Sequence, residues 1–544
     1  IAMGHQSLGN CTTCTGNTAI GWRSQLGNVS GYNNVSVGML ALNANTGVEN
    51  TAVGAKTLEA NSTGSGNAAM GTFAAGKNTT GSRNTALGFN ALWSSVTKND
   101  STAIGYKAME FADDTVVAAI TYNTALGAYA LQGSATAANN TGIENTALGW
   151  SALKVNTSGW ANTGVGNSAL GSNTTGDRNI AMGSGALGYN ISGSHNIAIG
   201  TANNGAALEN NTTASGNVGI GSHVLNSNTT KQESTAVGYQ SMRYADSAAG
   251  GAITYNTAVG AYALQGSAIA ANNTGTRNTA IGHSALAANT GGVQNTAVGS
   301  AALGSNAGGS YNSAFGERAL AANTTGQDNV ALGGIALRDN TSGTQNVAVG
   351  GASLVANSTS GYNAAVGYTA LNLATGGQNT AIGNAAGSLI TTGSNNTAIG
   401  YNAQVPSPTG SNQMAYGNTS ITSHTFNGTG ALTIPRGTTA QRPTGGVNGM
   451  LRYNSQTGKF EGYQAGVWTD IITAGGIVAI NDLTDAYADY TTLNNMIIGR
   501  TSAAALTAGA QWNTFIGENA GATTVNSTAA TDSNTGVGFE ALKN

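Results

Sequence analysis

The chain has 544 residues, of which 81 are glycine, while only 8% are charged and 6% are aromatic. A typical globular domain is about one quarter charged, and so few large side chains cannot fill a wide core. The net charge of −3 and the absence of a basic run argue against a nucleic-acid partner. No apolar run reaches about 20 residues, so we expect no membrane insertion in this segment.

A short motif recurs along the chain: Asn-Thr-Ala-aliphatic-Gly, two variable residues, Ala-Leu, and then a polar turn. Copies begin at Asn84, Asn145 and Asn379. We take the last glycine of the motif as the register glycine. Register glycines recur from Gly4 to Gly417, mostly 17 residues apart, with a few steps of 16, 21 or 22 residues. Such a fixed period predicts a repeat architecture.

The repeat cannot be helical, because every unit carries glycine and Asn-Thr-Gly turns that disfavour helix. Each unit instead predicts two short strands, Thr-Ala-Ile-Gly and x-Ala-Leu, separated by tight bends. Stacked units would form parallel ladders about 4.8 Å apart. We expect columns of Ala, Ile/Val/Leu and Gly inside, with asparagine ladders at the corners. The predicted fold class is all-β, a repetitive parallel β-solenoid (β-roll) of about 17-residue coils.

The composition changes near the C-terminal part of the solenoid. All four prolines lie between Pro406 and Pro443, followed by a predicted hairpin over 450–463 and a third strand over 465–472. The first and last residues lie inside repeats, so we expect the chain to be a piece of a longer one. The predicted domains are a solenoid rod over 1–404, a small β-domain over 405–475, a neck over 476–495, and an incomplete second stretch of solenoid repeats over 496–544.

Residues that could carry chemistry are sparse. Cys11 and Cys14 lie in a polar turn, where they form a disulfide or stay as two thiols, because a zinc site needs a second pair. The five histidines show no zincin spacing, and Gly183-Ser-Gly-Ala-Leu-Gly lacks the βαβ context of a dinucleotide site. An acidic group at 482–489 lacks the spacing of a calcium loop. We therefore expect no catalytic residue, no cofactor and no metal.

Aromatic residues often follow the register glycine directly, and residues at one register line up along a solenoid. This aromatic stripe can pack at a corner or between subunits, or it can face solvent as a track on which sugars stack. Two coils, near 105–149 and 238–282, are longer and predict two similar looped knobs that compete as contact sites. The stripe residues are Trp22, Phe89, Tyr106, Trp150, Tyr239, Tyr368 and Tyr401, with His5 and His283 at the same register. The knob residues are Phe111, Asp113, Asp114, Tyr244 and Asp246.

The Asn-Thr-Ala-x-Gly-x-x-Ala-Leu coils resemble the head repeats of trimeric autotransporter adhesins, and still more the longer coils of phage tail fibres. The segment 437–470, from Gly437-Thr-Thr-Ala-Gln-Arg-Pro to Gly-Val-Trp468, resembles a module of tail fibres and related trimeric fibres. The resemblance implies a parallel homotrimer that works as an attachment fibre. The chain would then be extracellular, and its partners would be two further copies and a host-surface glycan or protein receptor.

Two alternatives stay open beside the tailed-phage tail fibre. One is a bacterial cell-surface trimeric adhesin or extracellular filament subunit. The other is a polysaccharide-degrading tailspike, which would need paired carboxylates at one level of the rod. Asp and Glu are scarce in this chain, so we expect a structural attachment protein rather than an enzyme.

Overall fold

The computed structural model describes residues 1–111, 120–136, 139–201, 205–245, 252–269, 272–423 and 433–471, and also three short strands within 496–537. The described chain forms two compact units, Ile1–Ser423 and His424–Asn544. The predicted knob residues Asp113, Asp114 and Asp246, the predicted neck over 476–495 and the acidic group at 482–489 lie outside the described residues.

Unit Ile1–Ser423 is a parallel β-solenoid, as the repeat predicts. Its 24 strands form one sheet in which each strand pairs in parallel with the next copy of the motif. The register is one repeat long, with Thr163 opposite Ile180 and Gly164 opposite Ala181. The ladder continues to Met414–Tyr416, beyond residue 404. The strands are β1 Ala2–Met3, β2 Thr18–Ile20, β3 Val35–Val37, β4 Thr51–Val53, β5 Ala68–Met70, β6 Thr85–Leu87, β7 Thr102–Ile104, β8 Thr124–Leu126, β9 Thr146–Leu148, β10 Thr163–Val165, β11 Ile180–Met182, β12 Ile197–Ile199, β13 Val218–Ile220, β14 Thr235–Val237, β15 Thr257–Val259, β16 Thr279–Ile281, β17 Thr296–Val298, β18 Ser313–Phe315, β19 Val330–Leu332, β20 Val347–Val349, β21 Ala364–Val366, β22 Thr380–Ile382, β23 Thr397–Ile399 and β24 Met414–Tyr416.

The strands place small residues inside and large aliphatic residues outside. Successive side chains of a strand point to opposite faces, and the middle residue, such as Ala86 or Ala280, is fully buried. The third residue is on the other face, and Leu87 and Ile281 remain exposed. The prediction that these aliphatic residues fill the interior was therefore wrong. The coil is so thin that alanine fills the space between the strand and the opposite Ala-Leu segment.

The Ala-Leu segment is not a second strand, contrary to the prediction. Two residues of each such segment have left-handed backbone, as at Ser168 and Leu170 with φ of 53°. Their amides still bond between coils but in opposite directions: Ser168 N donates to Trp150 O of the previous coil, and Leu170 N donates to Ala186 O of the next. The left-handed leucine costs about 1–2 kcal/mol, and burying its side chain offsets this by about 1.5–3 kcal/mol.

The register glycine forms a corner that no other residue can occupy. Gly166 has φ of +127°, and a Cβ built there would lie 2.6 Å from the carbonyl oxygen of Gly183. Both the backbone conformation and the close approach of the next coil exclude a side chain. This corner ends each strand and turns the chain toward the Ala-Leu segment.

Asparagine columns hold the other corners, as predicted. Asn179 Nδ2 donates to Asn162 Oδ1 over 3.1 Å and to Gly193 O over 2.8 Å, while Asn179 Oδ1 accepts from Asn196 N over 3.0 Å. A second column runs beside it, where Asn173 Nδ2 donates to Asn156 Oδ1 over 2.7 Å. Asparagine suits a repeating column because one side chain is both donor and acceptor, so each copy bonds the next.

The two long coils make equivalent contacts with the preceding coil. Isolated parallel bridges join Asn99 to Ile120 and Gln232 to Ile253. Ser101 and Thr121 share a hydroxyl hydrogen bond of 2.6 Å, and Ser234 and Thr254 share one of 2.5 Å. The two long coils are therefore matched structurally where they close. Near the N-terminus, Cys11 and Cys14 are joined by a disulfide.

Unit His424–Asn544 contains two further sheets. In the first, β25 pairs in parallel with β26, and β26, β27 and β28 form an antiparallel meander. The predicted hairpin over 450–463 and the third strand are confirmed. The second sheet is parallel, as the return of the repeat motif predicts. The elements are β25 Arg436–Gly437, a 3₁₀ turn Thr439–Gln441, β26 Leu451–Asn454, β27 Lys459–Gln464, β28 Val467–Asp470, β29 Met496–Ile498, β30 Thr514–Ile516 and β31 Thr535–Val537.

Candidate functional site

Part of the aromatic stripe consists of rings from successive coils that are in contact along the solenoid. Phe89 and Tyr106 are stacked with ring centroids 5.6 Å apart, and Tyr106 meets the edge of Tyr129 at 5.4 Å. The series continues at one end to Phe73 and at the other to Trp150, with centroid distances of 6.2 and 6.5 Å. Five rings from successive coils therefore form one continuous surface.

A second series occurs further along the chain. His223 packs on Tyr239, Tyr239 on Tyr262, and Tyr262 on His283, with centroid distances of 5.9, 5.5 and 5.6 Å. Tyr239 and His283 were predicted from the sequence. Tyr262 and His223 were not, because they lie two residues after the register glycine instead of one. Phe73 and Tyr129 were missed for the same reason. Rings at either position fill the same row.

All seven stripe residues named from the sequence are exposed in this chain. Trp22, Tyr368 and Tyr401 lie outside the two series, and Tyr401 is the most exposed of the seven. Arg23 lies over the ring of Trp22, with its guanidinium carbon 4.6 Å from the ring centroid. The stripe therefore forms no part of the solenoid core and is open to a ligand or to a second chain.

The knob residues in the described chain lie at the bases of the long coils. Phe111 contacts Trp93 edge to face at 6.5 Å, and its amide donates to Gln132 O. Tyr244 is placed equivalently, with its amide donating to Gln265 O, and the guanidinium carbon of Arg243 lies 4.9 Å from its ring centroid. Both rings are only half-buried.

A buried carboxylate lies beneath the first aromatic series. Glu110 accepts hydrogen bonds from Asn90 Nδ2 at 3.1 Å and from Gln132 Nε2 at 2.8 Å, and it pairs with Lys107 Nζ at 3.2 Å. The hydrogen bond from Lys107 to Glu110 raises the pKa of the lysine. The carboxylate oxygens of Glu110 are buried and engaged by these three side chains of the solenoid, so Glu110 is not available to a substrate.

A groove opens at the C-terminal end of the first aromatic series, between Trp150 and Tyr189. It has a volume of about 400 Å³. Serine and glycine form its floor where other coils carry larger residues such as Lys107 or Tyr129. The lining residues are Trp150, Ser151, Lys154, Ser168, Gly171, Ser172, Gly185, Gly188, Tyr189 and Glu209. We call this the Trp150–Tyr189 groove.

A long apolar surface runs along the outer face of the solenoid sheet. We define the outer sheet face as the first and third residues of β2–β24, which point away from the core. An exposed apolar row of this length on a soluble protein marks an interaction surface. The exposed third residues include Met70, Leu87, Leu126, Leu148, Met182, Ile220, Val259, Ile281, Phe315, Leu332, Val366, Ile382 and Tyr416.

The sheet β25–β28 contains a buried ion cluster. Glu461 is fully buried and accepts from Arg442 Nη2 at 2.5 Å and from Asn454 Nδ2 at 2.6 Å, and Arg452 Nε lies 3.8 Å away. The Arg442 hydrogen bond is the main cause of a lowered pKa of Glu461. The charges of this cluster pair with each other, so we assign the cluster a structural role.

A cavity of about 320 Å³ lies beside this cluster, with Pro435, Met450, Arg452 and Trp468 in its wall. Arg452 Nη1 and Trp468 Nε1 are buried and have no hydrogen-bond partner among the described residues. Two orphaned donors next to apolar walls suit an acceptor group such as a carbonyl or carboxylate.

Among the described residues, no group of three or more His, Cys, Asp or Glu side chains is arranged to hold a metal ion. None of the described helices is long and apolar enough to cross a bilayer. No known protein family matches the chain, and neither the curated proteins nor the solved structures give a match to it. The groove, the aromatic stripe and the outer sheet face are the surfaces of the described chain that could carry a function.

Proposed function

We propose that the chain is a structural attachment fibre that assembles as a parallel homotrimer through the outer sheet face and presents binding surfaces on its remaining sides. The observation that carries this proposal is the row of exposed aliphatic side chains along the sheet. Burying these side chains in an interface would stabilise the assembly by about 25 cal/mol for each Å² of apolar surface removed from water. Summed over more than twenty strands, this favours burial against a partner.

A second copy of the chain fits this surface better than an unrelated partner. The outer sheet face runs along the solenoid with the same period as the repeat, so an identical chain presents matching rows. Copies arranged in parallel around one axis form a closed cyclic assembly. The number three comes from the resemblance of the coils and of segment 437–470 to trimeric fibres. Within such an assembly weak contacts are multiplied, because each receptor site occurs three times.

The register glycine separates the outer sheet face from the aromatic stripe. Since each strand ends at that corner, the stripe and the Trp150–Tyr189 groove lie on the following segment of the coil. An assembly through the sheet therefore leaves stripe and groove available to a receptor. This division between an assembling face and a presenting face is the basis for an attachment function.

Light scattering of the native chain tests the assembly. We expect a mass near three times 53.7 kDa. The double variant Ile281→Glu and Leu332→Glu places charges on the outer sheet face and should lower the mass toward that of one chain. The matched control, Tyr311→Glu and Tyr362→Glu, changes exposed aromatic residues outside this face and should keep the wild-type mass. A wild-type monomer would overturn the homotrimer.

Binding of the fluorescently labelled chain to intact bacterial cells tests the attachment function. We expect saturable binding to cells that display the receptor and none to cells stripped of surface polysaccharide and protein. The tail fibre and the bacterial adhesin share this behaviour. Antibody labelling in the electron microscope separates them, because it places the chain either on a virion tail or on a cell surface. Release of reducing sugar from host glycans would instead favour the tailspike.

A further inference from the structure

We propose that the Trp150–Tyr189 groove binds a neutral oligosaccharide segment of two to three sugar units. The inference rests on the proposed attachment function and gives its ligand a chemical class. The groove is formed by three successive coils that carry small residues where neighbouring coils have large ones. At the second position after the register glycine stand Ser151, Ser168 and Gly185, where earlier coils carry Tyr129 or Lys107.

A second column of small residues completes the floor. Gly171 and Gly188 lie one above the other, with Lys154 before them and Glu209 after them. The inter-coil hydrogen bonds fix this stacking: Ser172 N donates to Gly188 O over 3.0 Å, and Tyr189 N donates to Glu209 O over 3.1 Å. The groove therefore spans two coil steps, roughly 10 Å along the solenoid, which is the length of a short oligosaccharide.

The two walls are aromatic and open. Trp150 is 52% exposed and Tyr189 is 56% exposed. Trp150 and Tyr129 are in T-shaped contact with ring centroids 6.5 Å apart, so the Trp150 ring is partly fixed before a ligand arrives and less side-chain entropy is lost on binding. A sugar ring has an apolar face of C–H groups that packs on such an aromatic plane, while its hydroxyls point to the sides.

The polar groups of the groove suit hydroxyls rather than charged ligands. Ser172 supplies a hydroxyl that can donate and accept. Ser168 Oγ donates to Asn167 Oδ1 over 2.8 Å and keeps its acceptor lone pairs, while Ser151 Oγ is buried and has no hydrogen-bond partner among the described residues. Lys154 and Glu209 carry opposite charges at opposite ends, so the local charge balances. Lys154 Nζ lies 5.3 Å from the ring centroid of Tyr129, and Glu209 Oε2 accepts hydrogen bonds from Ala206 N over 3.2 Å and from Asn226 Nδ2 over 3.0 Å. A polyanion would meet the Glu209 carboxylate and a polycation would meet Lys154, whereas the ammonium group and Glu209 Oε1 can hydrogen-bond the hydroxyls of a neutral sugar.

The floor offers no edge to an extended peptide. A peptide that adds a strand needs free backbone groups, and the floor amides are used between coils, as in Leu170 N to Ala186 O at 3.0 Å. The groove also continues as a track. A neighbouring hollow of about 580 Å³ on the other side of Tyr189 shares Ser172 and Tyr189 and adds Thr212 and Thr229. Such a continuation suits a polymer rather than a single small molecule.

The test is a glycan array probed with the labelled full chain, followed by calorimetry with the best neutral tetrasaccharide. We expect neutral hexose oligomers to be bound in preference to sulfated, uronic-acid or sialylated glycans. Trp150→Ala should weaken binding at least tenfold. Ser168→Tyr should also weaken binding at least tenfold, because the larger side chain fills the groove. The coil should tolerate this change, since the equivalent position of another coil carries Tyr129.

Two matched controls keep the test specific. Ala301→Tyr adds the same side chain at the same register in a distant coil, and both positions have the same left-handed backbone. Tyr311→Ala removes an exposed ring away from the groove. Both controls should bind like the wild type. Equal loss in Ser168→Tyr and Ala301→Tyr, preference for charged glycans, or no binding by any array member would overturn the proposal.

The mass measured for each variant separates this inference from the proposed assembly. If the variants and the wild type keep the trimer mass but bind no glycan, the groove assignment fails and the homotrimer stands. If the wild type is monomeric but binds a neutral oligosaccharide in a Trp150-dependent way, the groove assignment stands and the homotrimer fails.

Discussion

The solenoid interior and the small sheet β25–β28 bury polar groups in opposite ways. In the solenoid the buried polar columns consist of neutral asparagine, as at Asn162, Asn179 and Asn196. In the small sheet the buried polar group is the carboxylate of Glu461 among Arg442 and Arg452. The difference follows from symmetry. A repeating coil stacks each residue on a copy of itself, so a charged column would repel itself, whereas a non-repeating sheet can place opposite charges together.

This comparison also explains where charge is tolerated in the solenoid. Arg83 pairs with Asp100 on the next coil, with Nε 2.7 Å from Oδ1, at an exposed position. Arg83 and Asp100 occupy the same register in successive coils. Because the residue at this register is not the same in the two coils, opposite charges come into contact. Self-complementary amides form the repeating buried columns, whereas the ion pairs Arg83–Asp100 and Lys107–Glu110 occur where the residues at one register differ between coils.

The largest effect should come from charging an asparagine column. Asn179→Asp replaces an amide donor by a carboxylate that faces Gly193 O and Asn162 Oδ1, and it buries an unpaired charge. We expect a loss of about 4 kcal/mol in unfolding free energy, measured by denaturant unfolding at pH 7. The control Asn395→Asp makes the same change at an exposed position and should leave the midpoint almost unchanged. Equal effects would contradict the role of the buried column.

A smaller loss should follow from neutralising the carboxylate of the small sheet. Glu461→Gln keeps the shape but weakens the bonds from Arg442 and Asn454, at a cost of about 2 kcal/mol. Hydrogen exchange of residues 451–464 should accelerate, while exchange in the solenoid strands 163–199 stays the same. Asp470→Asn is the control, since it removes the half-exposed pair with Lys459 in the same sheet. Slower exchange in Glu461→Gln would show that the sheet is more stable with a neutral side chain at this position, which would contradict the prediction.

Acid should produce the same local loss without a mutation. The lowered pKa of Glu461 means that its ionised form is stabilised in the folded sheet, mainly by Arg442. This contribution is present above the unfolded pKa of about 4.3 and is lost as pH falls through the lower folded value. Below about pH 4, residues 451–464 should lose exchange protection before 163–199, because the amide and apolar side chains that fill the solenoid interior do not titrate. Simultaneous loss in both regions would contradict this order.

The smallest effect should come from the surface pair. Asp100 has a lowered pKa because it accepts hydrogen bonds from Arg83, yet Arg83 is largely exposed and solvent screens the pair. Arg83→Gln should leave the thermal midpoint within measurement error at physiological salt. A clear drop would mean that this pair is part of a wider charged network.

The sequence predicted the solenoid because its repeat is strict. A fixed spacing between register glycines places Ala19, Ala103 and every equivalent alanine at one level of the coil, and parallel pairing follows from stacking. The asparagine corners were equally predictable, since only a self-complementary side chain can stack on its own copies. The hairpin over 450–463 could be predicted from local alternation and turn residues.

Tertiary structure alone decided which way the remaining side chains point. The motif does not say whether the aliphatic residue after the inward alanine faces the core, and the thinness of the coil directs Leu87 and Ile281 outward. The left-handed leucines could not be predicted from propensity, because burial and inter-coil hydrogen bonds override it at Leu170. The groove depends on small residues from several coils meeting in space. Sequence thus determined the period and the pairing, while packing determined the faces on which function depends.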